Sequence, residues 1–97
     1  MTIVKKQEGA ALTIYLEGRL DTSTAPQLDA EVENLDGVTK LVLDMKKLVY
    51  LSSAGLRSIL SLQKRMSRQG SMVVRNVCDV IMEVFEMTGF TDILTIE

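Results

Sequence analysis

The apolar run Leu41-Val42-Leu43 is followed by Ser52-Ser53-Ala54-Gly55 and then by a helical repeat of apolar residues from Leu56 to Met66. That order constrains the fold more than any other part of the chain. A short, continuous apolar run suits a central strand covered on both faces. Two hydroxyl residues ahead of a helical repeat suit a helix N-terminus, where a serine oxygen accepts from backbone N–H groups that the first turn leaves unpaired. The Lys46–Gly55 segment then reads as a loop beyond the carboxyl end of a strand. Ligand and switch sites of open α/β sheets lie in that position.

The same punctuation recurs on both sides. Thr2 to Lys6 and Ala11 to Leu16 predict two strands; in the second, Leu12, Ile14 and Leu16 alternate with Thr13 and Tyr15. Glu17 to Asp21 reads as the end of that strand. Thr22-Ser23-Thr24 offers caps, Pro26 fits a first helical turn, Leu28, Val32 and Leu35 form an apolar stripe, and Asp36-Gly37 is a stop. The helix from about Ser53 to Arg68 turns Leu56, Ile59, Leu60 and Met66 inward and ends at Gln69-Gly70. Ser71 to Val74 predicts a further strand. Val77, Val80, Ile81, Val84 and Phe85 predict a helix closed by Thr88-Gly89, and Ile93 to Ile96 a last short strand. Strands alternating with helices predict a single α/β domain over 1–97, with a mixed, largely parallel sheet of four to five strands and helices packed against it.

Composition excludes more than it selects. The 97 residues contain no histidine and one cysteine. A Ser-His-Asp or Cys-His nucleophile system and a His-ligated metal site therefore cannot be built, and neither a catalytic residue nor a cofactor is expected. Cys78 reads as a small buried hydrophobe in a reducing compartment. No apolar run is long enough to span a bilayer, and the first residues lack the pattern of a signal peptide, so a cytoplasmic location without membrane insertion is expected.

The formal net charge of −2 hides an uneven distribution. Residues 1–39 carry three basic and seven acidic side chains, residues 40–75 eight and one, and residues 76–97 none and five. The basic segment lacks the interleaved aromatics of a nucleic-acid surface, so direct nucleic-acid binding is not expected. Arg57, Lys64, Arg65 and Arg68 read as a solvated helix face or as a docking surface for an acidic protein.

From the residues alone, Ser53 is either a cap or a place for a phosphate, since a helix N-terminus stabilises an anion. Three stretches bear on that choice. Leu41 to Met45 followed by Tyr50-Leu51-Ser52-Ser53-Ala54-Gly55-Leu56-Arg57 resembles the core motif of STAS domains, the anti-sigma factor antagonists of bacteria. Glu17-Gly18-Arg19-Leu20-Asp21 with Ala25 resembles the early loop of that family, and Val84 to Leu94 its C-terminal helix, glycine stop and final apolar pair. The family motif reads Asp-Ser-Ser/Thr-Gly-Leu, so Ser52 takes the Asp position and Ser53 the phosphoacceptor position.

The resemblance implies a partner switch. The unphosphorylated domain would bind an anti-sigma factor that is also a serine kinase and so release a sigma factor. Phosphorylation of Ser53 would end the complex, and a serine phosphatase would reset it. Ser52 is the secondary acceptor candidate, and Asp21, Thr22, Ser52, Ser53, Ala54, Gly55 and Arg57 form the expected partner-binding set. The alternative is a STAS adaptor that is never phosphorylated, a constitutive subunit of a transporter or signalling complex. The loss of the motif Asp favours that alternative. Asp44 is expected to hold backbone N–H groups, Gly55 to permit close packing, and Gly89 to stop a helix.

Overall fold

Four strands form one sheet in the order in which they occur in the chain. The computed structural model describes residues 1–97. Strands β1 (Thr2–Glu8) and β2 (Ala11–Leu20) make an antiparallel hairpin turning at Gly9-Ala10. Helix α1 (Ala25–Glu31) leads to β3 (Lys40–Leu51), parallel to β2, and α2 (Ser53–Gln69) leads to β4 (Ser71–Arg75), parallel to β3. Helix α3 (Asp79–Thr88) and a single 3-10 turn (Phe90–Asp92) complete the chain. The mixed, largely parallel sheet with helices against it is the one predicted by the alternation of strand and helix patterns.

Two strands run further than their local sequence predicts. β2 continues through Glu17-Gly18-Arg19-Leu20, and β3 continues to Leu51, so most of the expected Lys46–Gly55 loop is strand. The β2 extension has little β-propensity, and Lys46-Lys47 separates the apolar run Leu48-Val49-Tyr50-Leu51 from the first part of β3. The two extensions pair with each other: Glu17 with Lys47, Gly18 with Leu48, Arg19 with Tyr50 and Leu20 with Leu51, across two register shifts. Burial of Leu20, Leu48 and Leu51 holds the pairing, and the irregular steps absorb the residues that do not fit it. At the other end, the expected strand at Ile93–Ile96 shrinks to one bridge, Val74 to Ile96. Leu94 is instead drawn into the core after the 3-10 turn.

One cluster holds the core. Leu12, Ile14 and Leu16 from β2 meet Leu41, Leu43 and Met45 from β3 and Met72 and Val74 from β4. Onto this face pack Leu28 from α1, Ile59, Leu62 and Met66 from α2, and Ile81 and Phe85 from α3. The α2 stripe is shifted from its expected composition: Leu62 is buried, whereas Leu60 is half-buried. In α3, Val80 is exposed, and Val77 and Cys78 precede the helix. Cys78 is half-buried rather than buried, and its thiol lies 3.7 Å from the Leu48 carbonyl oxygen.

All three helices therefore lie on one side of the sheet. Val42 and Val73, buried but outside the cluster, point to the other side, which no helix covers. The expectation that β3 is covered on both faces is thus corrected. Its apolar run arises because neighbouring strands flank Val42, while the helices bury Leu41 and Leu43.

The far end of α2 is tied down by side chains. The Gln69 amide donates to the carbonyls of Leu35 (2.9 Å) and Val38 (2.7 Å), and the Arg65 guanidinium to the carbonyl of Glu33 (3.1 Å). Gly89 ends α3 with φ of 78°, a left-handed conformation in which a side chain would be strained. Phe85, fully buried, stacks on Phe90 at 6.3 Å between ring centroids. Phe85→Ala should lower stability by about 3–5 kcal/mol, a large share of what a domain of this size possesses, read from the midpoint of urea unfolding.

Candidate functional site

The carboxyl ends of β2 and β3 meet the start of α2 in one tight junction. The Ser52 N–H donates to the Leu20 carbonyl at 3.0 Å, joining the two strand ends where regular pairing stops. Ser52, in extended conformation, caps α2: its hydroxyl accepts from the Gly55 N–H at 3.4 Å and its carbonyl from the Leu56 N–H at 2.9 Å. Serine thus retains the capping acceptor that a carboxylate would supply.

Gly55 is buried and leaves no room for a side chain. A Cβ there would lie 2.7 Å from Leu51 Cδ1 and 2.8 Å from both Leu20 Cγ and the Leu20 carbonyl oxygen. The helix start can sit this close to the sheet only because residue 55 is glycine. Ser53, the first residue of α2, is exposed, and its hydroxyl makes no hydrogen bond within the protein. It stands where the first-turn N–H groups and the positive end of the helix dipole face solvent. No acidic side chain occupies that first turn.

The loop after β2 lies beside this junction. Asp21 organises it: one carboxylate oxygen accepts from the Ser23 hydroxyl (2.7 Å), the Ser23 N–H (3.0 Å) and the Thr24 N–H (3.2 Å). The Thr24 hydroxyl accepts from the Asp21 N–H at 2.8 Å and donates to the Arg19 carbonyl at 2.7 Å. The side-chain cap of α1 expected from the Thr22-Ser23-Thr24 hydroxyls is not formed. Thr24 stands at the N-cap without bonding the helix, the Asp21 carboxylate holds the turn before it, and the Asp21 carbonyl accepts from the Ala25 N–H at 2.8 Å. The Ser23 hydroxyl holds the Asp21 carboxyl below its ordinary 3.8, helped by the two backbone N–H groups and opposed by partial desolvation.

Thr22, Ala54 and Arg57 line a shared cleft of about 410 Å³ between α1 and α2. Arg57 stands one turn after Ser53 on the exposed face of α2 and forms no ion pair. The fold therefore gathers the expected residues around one end of the sheet: Asp21 and Thr22 from the loop, Ser52 from the cap of α2, and Ser53, Ala54, Gly55 and Arg57 from α2 itself. Asp44 lies away from this junction and holds backbone as expected, accepting from the Lys46 N–H at 3.0 Å.

Two residues at the junction escape a reading of the sequence. Arg19 and Tyr50 are register partners, and the Arg19 guanidinium lies 4.0 Å from the centre of the Tyr50 ring while reaching Asp21 at 3.6 Å. The signal that could have revealed them is their position: each directly precedes a leucine of the buried Leu20–Leu51 pair. It becomes legible only once β2 and β3 are known to pair that far.

Comparison with known proteins agrees with this architecture. The family model described as Mlab, STAS domain matches residues 3–95, and the chain belongs to the STAS domain family. BtrV of Bordetella bronchiseptica, which carries the name of an anti-sigma factor antagonist, is 38% identical over 88 residues, covering 88% of this chain and 76% of that protein. The anti-sigma-B factor antagonist of Listeria monocytogenes is 28% identical over 97 residues, covering 97% of this chain and 85% of its own. The structure of the anti-sigma factor antagonist SpoIIAA in its unphosphorylated form superposes with a TM-score of 0.84 at 18% identity, covering 99% of this chain and 88% of that one. By name these relatives are anti-sigma factor antagonists.

Gly55→Ala should destabilise the domain by about 1–3 kcal/mol, because overpacking against a backbone carbonyl outweighs the roughly 1 kcal/mol that alanine gains in helix propensity. A lowered urea midpoint would show it; an unchanged or raised one would mean that the junction is loose. Because the folded Asp21 carboxyl titrates below 3.8, its loop bonds persist in full above that pH and are lost as pH falls through the lower, folded value. The Ser23 and Thr24 amide signals should move in that acid range, and Asp21→Asn should abolish the movement.

Proposed function

We propose that this protein is an anti-sigma factor antagonist switched by phosphorylation of Ser53. Unmodified, it binds an anti-sigma factor that is also a serine kinase, and the sigma factor held by that kinase is released. The kinase transfers the ATP γ-phosphoryl group to the Ser53 hydroxyl oxygen, the hydroxyl proton leaves, and ADP departs. A serine phosphatase hydrolyses the phosphoester and restores the binding form. The cycle runs in the cytoplasm.

The observation that carries this reading is the state of Ser53. Its side chain is exposed, makes no hydrogen bond within the protein, and opens α2 beside the residues expected to touch the partner. A phosphate there adds about −1.5 to −2 charges. In the free domain the helix N-terminus tolerates that charge, and water solvates it. Inside a packed interface the same group must be desolvated, and a thousandfold loss of affinity requires only about 4 kcal/mol. The family membership and the names of the relatives support the same reading.

One observation favours a second reading. Ser52 stands in place of the motif carboxylate, yet it caps α2 by itself. A domain that kept the fold and lost the kinase's recognition group would serve as a constitutive adaptor in a transporter or signalling complex. Mass spectrometry of the protein from its own cells separates the two. Phosphate on Ser53, with an anti-sigma factor bound only to the unmodified form, supports the switch; unmodified serines in a stable complex support the adaptor.

Substitutions test the same point with a purified anti-sigma factor kinase. Ser53→Asp should weaken binding by about a thousandfold, whereas Ser53→Ala should bind and resist ATP-driven release. Equal affinity of both variants would remove the switch. Ser52→Asp should accelerate phosphorylation if the kinase reads that carboxylate.

A further inference from the structure

The side of the sheet that carries no helix is neither uniformly polar nor flat. Val4 and Tyr15, register partners on β1 and β2, are 49% and 39% exposed and form the floor of a groove of about 530 Å³. Lys6, Lys46 and Lys47 line it, and none of the three takes part in an ion pair. Of the two carboxylates at the groove, Asp44 is engaged internally, accepting from the Lys46 N–H and from the Asn76 amide, each at 3.0 Å. Both carboxylates keep their charge, so three unpaired ammonium groups stand against two carboxylates and the groove is positive by one charge.

We infer that this groove is a second docking surface, which takes an extended acidic segment of a partner protein, with an apolar side chain seated over Val4 and Tyr15. The groove sits chiefly on the antiparallel β1–β2 pair, whose outer face the fold can leave to solvent, so the chemistry of the groove decides what binds there. The charge says what kind of cover fits. A second copy of this chain would bring together two faces of the same net positive sign. An anionic membrane would demand a broad apolar surface, whereas only two large apolar side chains, Val4 and Tyr15, stand exposed in this groove. An acidic segment meets both features, with carboxylates toward the lysine rim and an apolar residue toward the floor. The surface lies on the side of the sheet opposite α2, so this inference does not depend on the Ser53 switch. Regulator and second partner could occupy the domain together.

The test uses the intact protein, isotopically labelled, and a synthetic peptide of alternating Glu and Leu, with an alternating Lys and Leu peptide as control. Amide signals of Val4, Tyr15, Lys46 and Lys47 should shift with the acidic peptide. Binding should fall by about tenfold or more in Lys46→Glu/Lys47→Glu and weaken with added salt, while Ser53→Asp leaves it unchanged. Tyr15→Ser should weaken binding without altering its salt dependence. Any of four outcomes would overturn the proposal, the first three being equal binding of the basic peptide, shifts confined to the basic face of α2, and no shift at millimolar peptide. The fourth is concentration-dependent dimerisation or co-sedimentation with phosphatidylglycerol vesicles, in place of peptide binding, that the double variant abolishes.

Discussion

The contact on which this structure depends is the approach of α2 to the ends of β2 and β3 at a residue with no side chain. Gly55 lets Leu20, Leu51 and the first turn of the helix occupy one small volume, and the Ser52 N–H reaches the Leu20 carbonyl. Close packing of this kind leaves no slack: a single methyl group would have to displace backbone. The position of Ser53 is therefore set by main-chain geometry, and its hydroxyl needs no bond of its own to stay where it is. That separation between a rigid mount and an unengaged hydroxyl is what the proposed switch would require, a chemical change at the surface without unfolding.

Much of this arrangement is legible in the sequence, and the parts that are not have physical reasons. The period of Leu12, Ile14 and Leu16, the hydroxyl pair before Leu56 and the glycine after Thr88 are local signals, and each corresponds to the element it announces. The extension of β2 and β3 to Leu20 and Leu51 is not local. Glu17-Gly18-Arg19 and Lys46-Lys47 are poor strand segments until they pair, and they cut the apolar run Leu48-Val49-Tyr50-Leu51 off from the strand it continues. Arg19 and Tyr50 belong to the same hidden register. The uncovered side of the sheet was concealed for the opposite reason, since Leu41-Val42-Leu43 looks the same whether its middle residue faces a helix layer or a crowded strand surface.

The charge asymmetry along the chain also acquires a spatial meaning. Six of the eight basic residues of the middle segment lie either on the outer face of α2 or at the rim of the groove on the far side of the sheet. The acidic residues of the N-terminal third include Asp21, spent on ordering its own loop, and Glu31, paired with Lys5 at 2.9 Å. Several of the acidic groups are thus tied into local structure, whereas the basic groups of both surfaces stay largely unpaired. A small net charge can coexist with two positively biased faces.

The Gln69 side chain has a consequence for how such a domain can change over evolutionary time. Its amide spans the carbonyls of Leu35 and Val38, so the irregular connection between α1 and β3 is measured out against the last turn of α2. Connections on a protein surface usually tolerate insertions and deletions. This one is ruled by a helix distant in sequence, and a residue gained or lost would carry both carbonyls out of register with their shared donor. A lineage that altered its length would have to rebuild the end of α2 in the same step, which makes an unstructured stretch one of the less negotiable dimensions of the molecule.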